Sequence, residues 1–211
     1  MKVAVPALVA ALALGVTGCD SDGPAKADSP ASGGPSVIAP GKPGEAAETL
    51  SAKDAERRGP DDSPNSADVG YAQMMIQHHE QALTMTQLVP KRAESGKVKR
   101  LAERISAAQA PEIEVMRGWL KKYGKSESPT GHQGHSTMPG MATEAQLKSL
   151  RAAHGAAFDE LFLKLMITHH QGAVTMATEV KSDGNNVQVE EMADDVIAQQ
   201  TAEIGRMRDM G

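Results

Sequence analysis

The sequence predicts an all-α protein, a four-helix bundle built from two repeated helical hairpins with a short extra helix in the linker between them. Two observations carry this prediction. A Met-x-x-His-His motif occurs twice, with His78 and His169 lying 91 residues apart. Around both copies, apolar residues follow the 3.6-residue period of a helix rather than the alternation of a strand. Two hairpins that close on each other give a bundle.

The N-terminus is interpreted as a lipoprotein signal peptide over residues 1–18. An apolar stretch over residues 3–16 is too short to span a bilayer, because about 20 residues are needed. It ends in the tetrapeptide VTGC, which resembles the lipobox of bacterial lipoproteins. Cys19 is the single cysteine and stands where the signal would be cut. We expect lipidation of Cys19 and a protein secreted and lipid-anchored at the outer face of the bacterial cell membrane; the alternative is a buried cysteine after an ordinary signal.

Residues 19–65 are rich in Pro, Gly, Ala, Ser and Asp and lack apolar periodicity. Such a segment buries too little apolar surface to offset its ordering entropy, so it is predicted as a disordered tether. Residues 66–211 remain as one bundle domain. The formal net charge of −5 argues against nucleic acid as a partner. With no thiol left after lipidation, a soft-metal ligand would have to come from the 12 methionines.

The domain divides into two repeats, about 66–122 and 157–211, joined by a linker over residues 123–156. Each repeat is predicted to form two helices. Turn and capping residues mark the helix boundaries. They are Pro90, Ser95, Gly96, Gly184, Asn185, Asn186 and a capping box from Thr143 to Gln146.

Polar side chains on the apolar helix faces are candidate functional residues. His79 and His170 lie mid-face on the first helix of each repeat, and Glu112 and Glu203 lie mid-face on the second. A buried carboxylate without a partner is costly, so we expect each glutamate to meet the histidine of its own hairpin. Such a pair is either part of a metal site or a metal-free hydrogen-bonded layer that fixes the register of the bundle.

His78 and His169 fall at the edge of the apolar face, beside Met85 and Met176. Imidazole and thioether groups suit copper, so we interpret this outer pair as the copper contact and the inner pair as structural or metal-orienting. The candidate metal ligands of the repeats are His78, His79, His169, His170, Met75, Met85, Met166, Met176, Glu112, Glu203, Met116 and Met207. Methionine at helical spacing is also common core filling, and this alternative stays open for the methionines.

The linker carries a second His/Met tract. Its candidate ligands are His132, His135, Met138 and Met141. Two imidazoles and two thioethers on a Gly-rich backbone can wrap a soft ion without a preformed cavity. The alternative is a polar linker that is His-rich by composition only.

These motifs resemble a known family. The M-x-x-H-H-x-x-A-x-x-M core, the Q-x-x-E-I-x-x-M helix, the F-D-x-x-F-L run from Phe158 and the Met-Pro-Gly-Met linker are similar to the bacterial domain of unknown function 305 family, which includes CopM-like copper-binding proteins. The resemblance covers roughly residues 66–211. It implies a ferritin-like bundle and extracytoplasmic copper binding or copper tolerance. The two halves differ where Met74 stands against Leu165, and where Pro111 interrupts one helix only.

From these residues we expect an extracytoplasmic lipoprotein that binds copper, as Cu(I) or Cu(II), for buffering, tolerance or transfer to a protein partner. A ferritin-like di-metal oxidase is one alternative. The sequence lacks the Glu-x-x-His signature of di-iron bundles, and two mid-face carboxylates are few for a hard metal, so we do not expect an enzyme. A metal-free interaction module tethered to the membrane is the other alternative.

Overall fold

The computed structural model describes residues 35–40, 44, 46–59, 61–128 and 138–210. The chain divides into two compact units, one ending at Gly59 and one beginning at Pro60. The predicted signal peptide, Cys19, His132 and His135 lie outside the described residues.

The first unit contains a small hairpin and one short helix. Its elements are β1 (Ser36–Ala39), β2 (Glu48–Ser51) and α1 (Ala52–Arg58), and the two strands are antiparallel. Ser51 caps α1, because its hydroxyl accepts a hydrogen bond from the backbone N–H of Asp54. These elements lie within the segment predicted as a disordered tether, so secondary structure forms there, and the tethering role itself stays a prediction.

Four long helices make up most of the second unit. Its helices are α2 (Ser66–Thr86), α3 (Val89–Arg92), α4 (Gly96–Lys122), α5 (Glu144–Ala152), α6 (Gly155–Asp183) and α7 (Val187–Arg208). The helix α2 packs against α4, α6 packs against α7, and α2 also packs against α6. The predicted all-α class is confirmed, while the ferritin-like arrangement stays a prediction. Among the described residues, no helix combines the length and apolar character needed to cross a membrane.

The helix boundaries follow the capping residues found in the sequence. Ser95 accepts hydrogen bonds from the first turn of α4, and Asn186 does the same for α7. Thr143 and Gln146 form the predicted capping box at the start of α5. Pro111 lies inside α4 without ending it.

Two aspartates connect the hairpins through hydrogen bonds. Asp68 in the first turn of α2 accepts hydrogen bonds from the backbone N–H groups of Asn185 and Asn186, at 3.1 and 3.2 Å. Asp159 on α6 accepts one from the N–H of Ser95, at 2.7 Å. Each carboxylate thus satisfies backbone donors at the start of a helix from the other hairpin, where no intrahelical acceptor exists.

The core consists of two apolar clusters, and each draws side chains from all four long helices. The first half of α2 shares a cluster with the second half of α6, so these two helices run antiparallel. On every long helix, polar residues separate the two clusters. These residues form the polar layer: His78, His79, Gln109, Glu112, His169, His170, Gln200 and Glu203.

Candidate metal centre

The middle of the polar layer is a pair of imidazoles, one from each predicted repeat. The ring centroids of His78 and His169 lie 3.7 Å apart, with an interplanar angle of 36°. Both side chains are completely buried. The prediction that they lie at the outer edge of the helix face is therefore wrong. A helical wheel assigns one buried face, whereas α2 packs against both α4 and α6 and so has a wider buried arc.

His79 and His170 contact the glutamates of their own hairpins. Nε2 of His79 lies 2.7 Å from Oε2 of Glu112, and Nε2 of His170 lies 2.7 Å from Oε2 of Glu203. These contacts confirm the predicted pairing. Because a carboxylate accepts, Nε2–H donates in each pair, and in the neutral form of the imidazole Nδ1 then carries the lone pair. A metal-bound histidine is commonly oriented by a carboxylate in this way.

The third oriented imidazole is His78, whose Nε2 lies 3.1 Å from the carbonyl oxygen of Pro139 in the linker. A carbonyl oxygen can only accept, so Nε2–H donates and Nδ1 again carries the lone pair. His169 differs, because among the described residues neither of its ring nitrogens has a hydrogen-bond partner.

The linker segment that reaches His78 lies directly on α2 and α6. The side-chain amide of Gln81 accepts a hydrogen bond from the N–H of Ala142 at 2.7 Å and donates one to its carbonyl oxygen at 3.0 Å. Against α6, the approach is so close that a Cβ on Gly172 would overlap the carbonyl oxygen of Pro139. Gly140, with φ of 77°, makes the turn beside this contact. Sequence reasoning missed these contacts.

The candidate methionines are buried in the apolar clusters on either side of the layer. One cluster contains Met75, Met116, Met138 and Met176, with Met141 packed against it; the other contains Met85, Met166 and Met207. Three residues of helix rise about 4.5 Å and seven about 10 Å. Met75 lies one turn from His78 and Met166 one turn from His169 along their helices. Met85 and Met176 lie two turns away rather than beside these histidines.

The polar layer holds an unusual number of unpaired polar atoms. In the described part of the chain, Nδ1 of all four histidines lacks a hydrogen-bond partner, as do both amide atoms of Gln109 and Gln200. Buried polar groups in folded proteins nearly always have a partner, so these atoms mark a place suited to a bound ion or water. No three His, Cys, Asp or Glu side chains within the described residues are placed to hold a metal ion together. A metal in this layer therefore needs thioether donors beside the imidazoles, or a side-chain rotation on binding.

Burial keeps the central imidazoles neutral. It lowers the pKa of His78 to about 3, and the nearby His79 adds to this decrease while the carbonyl of Pro139 opposes it. Burial, followed by the neighbouring His78, also holds the pKa of His169 well below its usual range. Neutral imidazole is the form that binds metal ions.

Comparisons with known proteins support the family resemblance that the motifs indicated. The family described as "Domain of unknown function (DUF305)" matches residues 68–211. A DUF305 protein from Streptomyces coelicolor, described as secreted, is 36% identical with a TM-score of 0.63, and the match covers 69% of this chain and 90% of that one. A DUF305 fragment from Deinococcus radiodurans is 30% identical with a TM-score of 0.64, covering 72% and 97%.

The copper-bound protein CopM is a third structural relative. In its Cu(II)-bound form it is 34% identical with a TM-score of 0.58, and the match covers 68% of this chain and 94% of CopM. CopM has also been solved in Cu(I)-bound and silver-bound forms. No curated protein matches the chain. Since the family match spans more than half of the sequence, the chain belongs to the DUF305 family.

Proposed function

We propose that this protein binds copper in the polar layer, outside the cytoplasm, for buffering, tolerance or transfer. The arrangement of the buried imidazoles carries the proposal. His78, His79 and His170 each donate Nε2–H to an oxygen and direct a lone pair from Nδ1, which has no partner among the described residues. Histidines held by a carbonyl or carboxylate on one nitrogen are pre-oriented to ligate through the other.

Copper is favoured over other metals by the donors around the layer. Imidazoles are flanked by buried thioethers on both sides, and Met75 and Met166 lie one helical turn from His78 and His169, respectively. Thioether donors select soft ions such as Cu(I), whereas a hard ion would need more carboxylates than Glu112 and Glu203. The Cu(II), Cu(I) and silver bound by CopM, a relative 30–34% identical in sequence, support the same choice.

The proposed location is the outer face of the cell membrane, through a lipid on Cys19 after removal of residues 1–18. The VTGC tetrapeptide supports the lipid anchor, and the Streptomyces coelicolor relative, described as secreted, supports export. The linker tract of His132, His135, Met138 and Met141 is proposed as an additional copper contact. A copper-transfer protein is the proposed partner.

Competition with a chromophoric Cu(I) chelator tests the proposal. The variant His78→Gln/His169→Gln keeps polar side chains of similar size, and we expect it to lose at least about 100-fold in Cu(I) affinity. Glu112→Gln/Glu203→Gln should lose about 10–100-fold, the usual effect of removing groups that orient ligands. The matched control is His154→Gln, because His154 is exposed and contacts Arg92 instead.

The possible outcomes separate the candidate functions. If the wild-type protein takes no Cu(I) from the chelator, the polar layer is a metal-free structural element. If the double histidine variant keeps full affinity, the same exchange at His79 and His170 separates a site on these two residues from a site in the linker tract. Catalytic O₂ consumption by the copper-loaded protein would favour the oxidase alternative.

A further inference from the structure

The polar layer is sealed from solvent except near one of its members. The four histidines and both glutamines are at most 1% exposed. The side chain of Glu203 is 4% exposed, whereas that of Glu112 is 25% exposed. In this conformation, an ion that reaches the buried imidazoles must pass beside Glu112.

Glu112 forms part of the wall of a cavity of about 630 Å³ between α4 and α7. Asp195, Met116 and Met192 also line the cavity. Val115 and Ala198 line it as exposed residues. Two anionic groups at a cleft with apolar walls raise the local concentration of cations.

A buried polar atom without a partner among the described residues lies beside this cavity. Tyr71 lines it and is 2% exposed, yet its hydroxyl has no hydrogen-bond partner among the residues that the structure describes. Burial raises the pKa of Tyr71 above its usual range, and the charge of Glu112 adds to the rise. The hydroxyl is therefore a neutral polar group behind the cavity wall, and water or an ion must pass this wall to contact it.

The equivalent positions of the other repeat have diverged from this chemistry. At the offset of 91 residues, Phe162 replaces Tyr71, Leu101 replaces Met192, Arg104 replaces Asp195 and Arg206 replaces Val115. Both arginines are exposed, and the glutamate of that side, Glu203, is buried. At these positions, only the surroundings of Glu112 thus combine carboxylates, thioethers and access from solvent. The equivalent positions around Glu203 carry arginines, and Glu203 itself is buried.

We propose that the cavity between α4 and α7 is the port through which Cu(I) reaches the buried histidines. The carboxylates of Glu112 and Asp195 attract the ion, and the thioethers of Met116 and Met192 hold it in transit. His79, which is hydrogen-bonded to Glu112, is the first imidazole that the ion contacts. This inference rests on the proposed copper site.

Blocking the port tests it directly. Ala198→Trp places an indole at the cavity, and we expect the rates of Cu(I) loading and release both to fall about tenfold or more. The affinity should stay unchanged, because an equilibrium constant does not depend on the path. Stopped-flow transfer of Cu(I) to and from a chromophoric chelator measures both rates. Ala107→Trp is the matched control, since Ala107 is exposed at the equivalent position of the other repeat.

Two further variants keep the test decisive. Val115→Phe narrows the cavity from α4 and replaces Ala198→Trp if that variant does not fold. Asp195→Asn should slow loading and weaken its dependence on salt, because electrostatic attraction of the ion is screened by salt. Its control is Asp194→Asn, which makes the same charge change at the neighbouring position, where the carboxylate pairs with Lys181 outside the cavity.

Each outcome has a distinct meaning. Wild-type rates in the Ala198→Trp and Val115→Phe variants would overturn the port and leave the copper site standing. Equal slowing by Ala107→Trp would also overturn it, since the effect would then not belong to the cavity. A wild-type protein that takes up no Cu(I) would overturn the proposed function itself.

Discussion

In the hairpin of α2 and α4, His79 is hydrogen-bonded to Glu112, which borders a cavity. In the hairpin of α6 and α7, His170 is hydrogen-bonded to Glu203, which is almost wholly buried. The bond has the same length in both, 2.7 Å. The chemistry at the centre therefore agrees between the hairpins, while the access to it differs. Similar sequence motifs at a constant offset do not imply two equivalent sites.

A second difference concerns the linker. Gln81 of α2 holds the linker backbone through its side-chain amide, whereas the equivalent position on α6 is Gly172, against which Pro139 packs. The helix α2 thus binds the linker with a polar side chain, whereas α6 lets the linker backbone approach closely because Gly172 has no side chain. Together they place a carbonyl oxygen against His78 on one side of the polar layer.

Substitution of Gly172, where the linker packs on α6, should cause the largest loss of stability. In Gly172→Ala, the new Cβ would overlap the backbone of Pro139, so the linker must shift. We expect a loss of about 3 kcal/mol in the free energy of unfolding, as for overpacked cores. In the control Gly118→Ala, among the described residues a Cβ meets nothing within 4 Å, and the higher helix propensity of Ala should stabilise by up to about 1 kcal/mol. Urea unfolding measures both, and equal stabilities would contradict the close approach of the linker.

Acid should destabilise the metal-free protein through the central imidazoles. Burial puts the folded pKa of His78, about 3, and that of His169 below the ordinary value of 6.5, so the unfolded chain binds protons first as the pH falls. Stability is complete above about pH 6.5 and is lost progressively toward about pH 3. Between pH 7.5 and 5.5 we expect His78 to account for a loss of about 1 kcal/mol, and His169 to add a loss of the same sign.

The variant His169→Leu tests the origin of this loss. It removes one of the two proton-binding groups and should diminish the decrease between pH 7.5 and 5.5, as measured by urea unfolding at each pH. An undiminished decrease would assign the acid sensitivity to other side chains.

The pairing of His79 and His170 with glutamates was predictable from the sequence. A mid-face His on one helix and a mid-face Glu on the next must meet if the helices form a hairpin, because an isolated buried carboxylate is too costly. The burial of His78 and His169 was not predictable in the same way. Their environment depends on the second neighbour of α2, and a helical wheel contains no information about that neighbour.

The linker contacts were also beyond sequence reasoning. Gly172 reads as an ordinary helix glycine until the path of Pro139 and Gly140 across α6 is known. Its one available signal was the contrast with Gln81 at the offset of 91 residues. Asp68 and Asp159 gave a clearer signal, since the same acidic residue recurs near the start of both first helices, where it can accept hydrogen bonds from helix N-termini.

The two aspartates differ in how many donors they satisfy, and this difference is testable. Asp68 accepts from Asn65, Asn185 and Asn186, whereas Asp159 accepts from Ser95. We expect Asp68→Ala to lower the free energy of unfolding by about 2 kcal/mol and Asp159→Ala by about 1 kcal/mol, because unsatisfied backbone donors cost most where several are left. Equal losses in thermal or urea unfolding would contradict the dependence on the number of unsatisfied donors.

The smallest expected effect separates the two glutamates. Removing either carboxylate leaves a buried Nε2–H of His79 or His170 without its acceptor, at a cost of about 1–3 kcal/mol. Beside the cavity, water can replace the lost oxygen of Glu112, whereas the surroundings of Glu203 are closed. In the metal-free protein, Glu203→Ala should therefore be less stable than Glu112→Ala by about 1 kcal/mol. The reverse order would mean that the cavity gives water no path to His79, and the same result would remove the physical basis for a port beside Glu112.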